Sequence, residues 1–318
     1  MVFTREEVRN AQHVVYAALK PTPQFQWPLL DEDLGARVWV KHENHQPVGA
    51  FKVRGGLTYM DALTKREPHV RGVIGATRGN HGQSVGFAAR KHRIPVTIVV
   101  PNGNSIEKNA SMRALGVELL ELGADFQESR EFAARLAAER QLHMIPSFHR
   151  DLVRGVMTCW IEFFEAVQPD VVFVPIGLGS GFCAAAAART YTGVTSKLIG
   201  VVSAHATAYQ DSFKAGRKME SPVTTQLADG MACRIPDEES LEIVLREADD
   251  VIAVTDDEVA AAMQLLFRAT HNVAEGAGAA SLAGALQQRQ KWQGKTVGTT
   301  LCGGNVDTDV FVKVLSGK

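Results

Sequence analysis

Neither sign of charge is in excess: 34 basic residues stand against 35 acidic ones, for a formal net charge of −1. That balance gives no electrostatic attraction toward nucleic acid or an anionic membrane, so neither is expected as a partner. Long hydrophobic runs are missing too. The most apolar stretches are short, such as Phe182 to Ala188 before Arg189, and none reaches the ~20 residues that a bilayer span requires. No apolar segment follows a basic start in Met-Val-Phe-Thr-Arg-Glu-Glu, so no signal peptide is expected. Cysteine is scarce. Cys159, Cys183, Cys233 and Cys302 form no CxxC pair, which argues against a disulfide framework or zinc site and for reduced, cytoplasmic thiols. His42 and His45 have no third ligand nearby, so both read as structural and no metal is expected.

What is present is an ordinary globular composition, 45% apolar and 22% charged over 318 residues, enough for one large domain or two closely joined ones. Thr4 followed by Arg-Glu-Glu-Val reads as a helix start, with the helix running to about Leu19. Pro21, Pro23 and Pro28 then predict a loop, and Arg37 to Glu43 alternates as a strand. Helix is expected over about 55–63, strand over 72–76, and helix from Val85. Next come strand 96–100, helix 105–115, strand 118–122 and a helix around 130–139. A second series has helix at about 155–167, then strands at 171–175, 198–202 and 251–254. Helices at about 256–270 and 278–288 and a strand at 297–301 complete it. Short β-branched runs alternating with helices predict βαβ units and parallel sheets, in two α/β lobes with a cleft between them.

Three strand ends open into polar or glycine-rich loops, at residues 76–84, 177–181 and 302–305. Ligands of open parallel sheets sit at the carboxyl ends of the strands, so these loops define a candidate site. Gly177-Leu-Gly-Ser-Gly precedes an alanine-rich helix, whose first N–H groups suit a phosphate. A dinucleotide fingerprint is a poor match there. Phe182 stands where a third glycine belongs, and the next strand ends at Ser203 rather than at an acid. No Gly-Lys-Ser/Thr follows, which excludes a Walker loop.

Lys52 lies between Phe51 and Val53 after a Pro-x-Gly turn signal. A lysine at such a loop-to-helix junction is expected to be partly buried, which depresses its pKa and makes the neutral amine available to attack a carbonyl. The alternative is a lysine whose head reaches water beside a turn.

The segment Glu43-Asn-His-Gln-Pro-Val-Gly-Ala-Phe-Lys-Val-Arg-Gly resembles the lysine motif of the threonine/serine dehydratase family. These are pyridoxal-phosphate enzymes of fold type II, related to tryptophan synthase β. Gly79-Asn-His-Gly-Gln, the loop at 177–181, Leu227-Ala-Asp-Gly-Met-Ala, Glu275-Gly-Ala-Gly-Ala-Ala and Cys302-Gly-Gly-Asn follow in family order, across essentially the whole chain. The resemblance implies a large cofactor-binding domain, 1–47 plus 147–318, a small domain, 48–146, and a homodimer. It also implies that Lys52 holds the cofactor covalently and later removes the Cα proton. Phe51 would pack on the ring and Asn80 would face its phenolic oxygen. Gly177, Leu178, Gly179 and Ser180 would bind the phosphate, with Cys302 beside the ring nitrogen. Thr77, Asn80 and His81 would take the substrate carboxylate, and Arg130 resembles an arginine near the substrate of serine racemases.

Three departures qualify that picture. Arg78 replaces a small residue that serves serine racemases as proton donor, which argues for elimination over racemisation and could give an extra anionic substrate group a partner. The same Thr-Arg-Gly-Asn-His-Gly-Gln-Ser signature is similar to that of dehydratases of hydroxyectoine utilisation. Ser203 stands where metal-dependent relatives carry a glutamate, and the chain ends at Lys318, where no isoleucine-sensing domain is expected. The expected activity is β-elimination from a β-hydroxy amino acid, by default L-threonine or L-serine, to a 2-oxo acid and ammonia. The alternatives are a hydroxyectoine-derived or hydroxyaspartate-like substrate, a racemase, or a non-catalytic sensor of the same fold.

Overall fold

The computed structural model describes residues 1–317. Helix α1 (Arg5–Tyr16) opens with a reciprocal cap: Thr4 Oγ1 accepts from the Glu7 amide at 3.2 Å, and Glu7 Oε2 accepts from the Thr4 amide at 2.8 Å. The proline-rich stretch that follows is more regular than expected. It contains a strand, β1 (Gln24–Gln26), and a helix, α2 (Pro28–Leu34). Pro28 occupies the first helical position, where no N–H is needed. Pro21 and Pro23 precede an edge strand, where a missing donor costs no ladder bond. Strand β1 runs antiparallel to β2 (Arg37–His42), so the large sheet is not purely parallel.

Helix α3 (Lys52–Arg66) leads into β3 (Val73–Ala76), α4 (Asn80–His92), β4 (Val96–Val100), α5 (Ile106–Ala114), β5 (Glu118–Glu121), α6 (Phe126–Arg140) and β6 (His143–Met144). The four strands form a parallel sheet in the order β5-β4-β3-β6. Strand β6 was not expected, because two residues are too few to show periodicity. Next come α7 (Arg150–Ala166), β7 (Val171–Pro175), α8 (Ser180–Thr192), β8 (Lys197–Ser203) and α9 (Ala208–Ala215). They are followed by α10 (Glu238–Glu247), β9 (Asp250–Val254), α11 (Asp256–Thr270), α12 (Gly276–Gln287), β10 (Thr296–Leu301) and α13 (Thr308–Ser316). The second sheet has the order β1-β2-β10-β7-β8-β9. Val172, Val174 and Val202 pack with residues of α7 and α8 on one face; Phe173, Ile199 and Val201 pack with α11 and α12 on the other. Burial on both faces is why these strands read as unbroken β-branched runs. Among the described residues no helix is long and apolar enough to cross a membrane.

The first two turns of α3 are held by a buried charge cluster. Arg54 is wholly buried and makes paired bonds to Glu43, Nε to Oε2 at 2.8 Å and Nη2 to Oε1 at 2.9 Å. It also donates to Glu162 of α7 at 2.5 and 3.0 Å. Lys41 Nζ reaches Glu162 at 2.6 Å, and Tyr16 and Thr22 donate to the same two carboxylates. Close backbone approach completes the seam: a Cβ on Gly155 of α7 would lie 2.2 Å from the Arg54 carbonyl oxygen. Breaking a buried pair leaves uncompensated charge, so Arg54→Met is expected to lower the free energy of unfolding by about 3–5 kcal/mol. Urea titration followed by circular dichroism measures this; a loss below about 1 kcal/mol would mean that water reaches the cluster.

Candidate active site

Lys52 is the first residue of α3, and the turn presenting it is tied to the end of β10. The Phe51 amide donates to the Cys302 carbonyl at 3.0 Å, and Ala50 pairs with Gly303. Ser84 Oγ of α4 donates to the Lys52 carbonyl at 2.6 Å. The Lys52 ammonium lies 4.6 Å from the centre of the Phe51 ring, and among the described residues Nζ has no hydrogen-bond partner. Desolvation lowers its pKa from the ordinary lysine value, and the nearby Cys302 and Glu275 oppose that shift. Such an amine is closer to neutrality than a surface lysine.

The edge of the Phe51 ring reaches the glycine loop. A Cβ on Gly181 would lie 3.8 Å from the Phe51 ring, in ordinary contact. Gly179 caps α8 with φ +93°, a conformation that favours glycine, and no side chain caps the helix. The first amides of α8 are therefore left for a ligand, beside the buried Ser180.

In the 77–81 loop, Thr77 Oγ1 accepts from the Gly79 amide at 3.0 Å. Asn80 donates through Nδ2 to Glu275 Oε1 at 2.5 Å and accepts from Asn305 Nδ2 at 2.8 Å, which joins this loop to the 302–305 loop. His81 is buried, and its Nε2 has no partner. Burial and the nearby Lys52 push its pKa down to about 4, so the ring is neutral and serves as a hydrogen-bonding group rather than a counter-ion. Arg78 is half-buried and makes no ion pair among the described residues. Arg130 is exposed on α6, which packs on the opposite face of the small sheet from α4. It makes no hydrogen bond or ion pair with the other candidates. The geometry thus joins Lys52, Phe51, Asn80, Cys302 and the glycine loop, and leaves Arg130 outside.

Cys302 Sγ donates to the Ala277 carbonyl at 3.4 Å. Burial and Glu275 push the thiol up to about 12, so it stays protonated. Two site residues had no role in the sequence reading. Glu275 precedes α12, is buried, and is pushed above the usual carboxylate range by desolvation. Its motif was recognised, but a lone acid before a glycine carries no signal of burial. Lys108 of α5 lies 2.8 Å from Asp229 and 3.1 Å from Glu275. In Ser-Ile-Glu-Lys it looks like any solvated helix residue. Its charges balance only in three dimensions.

A family model described as pyridoxal-phosphate dependent enzyme matches residues 15–303. The chain is 31% identical to L-threo-3-hydroxyaspartate ammonia-lyase of Saccharomyces cerevisiae, over 100% of this chain and 98% of that one. It is 36% identical to L-threonine ammonia-lyase of Geobacter sulfurreducens, over 89% of this chain and 71% of that one. The solved structure of maize serine racemase matches with a TM-score of 0.91 and 25% identity, covering 100% of this chain and 98% of that one. A half-buried lysine with no hydrogen-bond partner among the described residues, an uncapped helix start and family motifs spread along the chain therefore have one explanation: the chain belongs to the pyridoxal-phosphate dependent enzymes, in the fold type II group of the threonine/serine dehydratases.

Proposed function

We infer that the protein is an ammonia-lyase that eliminates the hydroxyl from a β-hydroxy amino acid and releases a 2-oxo acid and ammonia, with L-threonine or L-serine as the default substrate. The observation that carries this reading is Lys52, a desolvated amine with no partner, beside an aromatic ring and across from an uncapped helix start. Pyridoxal phosphate fits these residues. Lys52 would hold its aldehyde carbon and Phe51 would pack on its ring. Asn80 would face its phenolic oxygen, and the backbone N–H groups at Gly177, Leu178 and Gly179, with Ser180, would take its phosphate. When bound, the cofactor supplies an electron sink for charge developing at Cα.

Lys52 Nζ, freed from the cofactor, would take the Cα proton. Thr77, Asn80 and His81 would fix the substrate carboxylate, with His81 acting as a neutral hydrogen-bonding group. Cys302, protonated and engaged with Ala277, would present a neutral thiol rather than an anion to the ring nitrogen. Arg78, standing where racemases carry a serine proton donor, would leave elimination favoured over reprotonation at Cα. Residues 48–146 are taken as the small domain, since they contain β3, β4, β5 and β6 except for the strand-free ends, and 1–47 plus 147–318 as the large one. Four unpaired cysteines suit the cytoplasm, and a homodimer is the assembly the family resemblance suggests.

Arg78 favours a second reading, a substrate with an extra carboxylate such as 3-hydroxyaspartate. A half-buried guanidinium without an ion pair beside Asn80 is suited to one. A relative matched over 98% of its own length is an L-threo-3-hydroxyaspartate ammonia-lyase.

Borohydride reduction followed by peptide mapping should place the reduced cofactor on Lys52, and Lys52→Ala should abolish both the label and 2-oxo acid release; label at another lysine would end this account. In a panel of β-hydroxy amino acids, 2-oxo acid release identifies the substrate. Arg78→Ser should reduce kcat/KM for hydroxyaspartate by about 10–100-fold, as loss of a charge-assisted hydrogen bond implies, while sparing threonine. Equal effects on both substrates would remove the second reading.

A further inference from the structure

Lys108 has no part in the elimination as described, yet it is 7% exposed in the first turn of α5. Its stem crosses Gly79, where a Cβ would lie 2.5 Å from Lys108 Cδ. Its Nζ donates to Asp229 Oδ2 at 2.8 Å and lies 3.1 Å from Glu275 Oε2 as an ion pair without hydrogen-bond geometry, and among the described residues neither carboxylate has another ion-pair partner. The far oxygen of Glu275 holds Asn80. From the same helix start, Ser105 Oγ donates to Asp307 at 2.5 Å, and Glu107 Oε1 accepts from the Thr308 amide at 2.7 Å. Helix α5 belongs to the four-stranded sheet, whereas Asp229, Glu275, Asp307 and Thr308 all belong to the part of the chain that builds the six-stranded one. One helix end thus reaches across the cleft at four points.

We propose that Lys108 is a positioning residue: reaching over from α5, it holds Glu275 in place behind Asn80 when the two lobes are closed. Its kinetic consequences rest on the elimination reading; its structural consequences do not. If α5 moves away, Glu275 loses its one ion-pair partner among the described residues and Asn80 loses a fixed acceptor. The groups that face Glu275 are Lys52 from α3, Asn80 from α4, Cys302 at the end of β10, Lys108 from α5 and Asp229. Burial and Asp229 raise the Glu275 pKa, and Lys108 opposes them. Removing Lys108 therefore raises it further, and neutralising Asp229 lowers it.

The test uses the cofactor-loaded protein and three variants. In Lys108→Met, kcat should fall about tenfold or more with KM changed less, and the acid limb of the kcat–pH profile should move about one unit to higher pH. In Asp229→Asn the limb should move to lower pH, and Lys108→Arg should restore it toward the original position. Without substrate, the amides at 104–108 and 305–308 should exchange about tenfold faster in Lys108→Met. A limb that stays put or moves the same way in both variants, with unchanged amide exchange, overturns the proposal. If Lys108→Met does not fold, the direction of the Asp229→Asn limb decides. Because amide exchange needs no turnover, Lys108 is tested even if every member of the substrate panel fails, an outcome that would count against the lyase reading alone.

Discussion

The structure depends on a guanidinium two residues past the site lysine. Arg54 donates to Glu43, Glu162 and Thr158, and through Lys41 and Tyr16, which share Glu162, α3 is bound to α7, β2 and α1. Two charges of each sign, counting Lys41, neutralise one another out of water. Such a cluster adds little net stability over an apolar core, but it tolerates only one arrangement. That is the property a site needs. With the first turn of α3 fixed, the first residue of the helix cannot drift, and Lys52 is that residue. The Gly155 contact has the same effect by a different force, since a backbone pressed on a backbone leaves no room to slide.

Within the site, desolvation acts in the same direction on groups of different chemistry, disfavouring charge on each. The lysine is pulled down, the histidine is pulled to about 4, and the Cys302 thiol and Glu275 carboxyl are pushed up. Lys108 goes the other way, held charged by the two carboxylates beside it. The backbone amides of α8 can meet an anionic ligand without adding a full charge of their own.

Much of the fold was legible because burial on both faces makes parallel strands read as apolar runs, and β4 and β7 match their expected ranges residue for residue. The departures have physical causes. Pro28 reads as a breaker, but at a helix start it costs nothing, so α2 was hidden. Helices α9, α10 and α13 are short, and a segment of eight to ten residues shows barely two turns of periodicity. The lysine motif and the glycine loop were legible because each is contiguous. Glu275 and Lys108 lie 167 residues apart and acquire meaning only by meeting. No local pattern records a partnership between distant side chains.

The two sides of the cleft are built from different forces. At the back, α3 packs against α7 and α4 through glycine contacts, apolar side chains and the sealed Arg54 cluster. At the front, the lobes meet through separate polar contacts: Ser105 with Asp307, Glu107 with Thr308, Lys108 with Asp229 and Glu275, and Asn80 with Glu275. Apolar packing is lost all at once and at high cost, whereas each polar contact can be exchanged for water at about 0.5–1.5 kcal/mol net. The front contacts are therefore the cheaper ones to exchange for water, and of the two site residues it is Asn80, through Glu275, that takes part in them, while Lys52 is held from behind through α3.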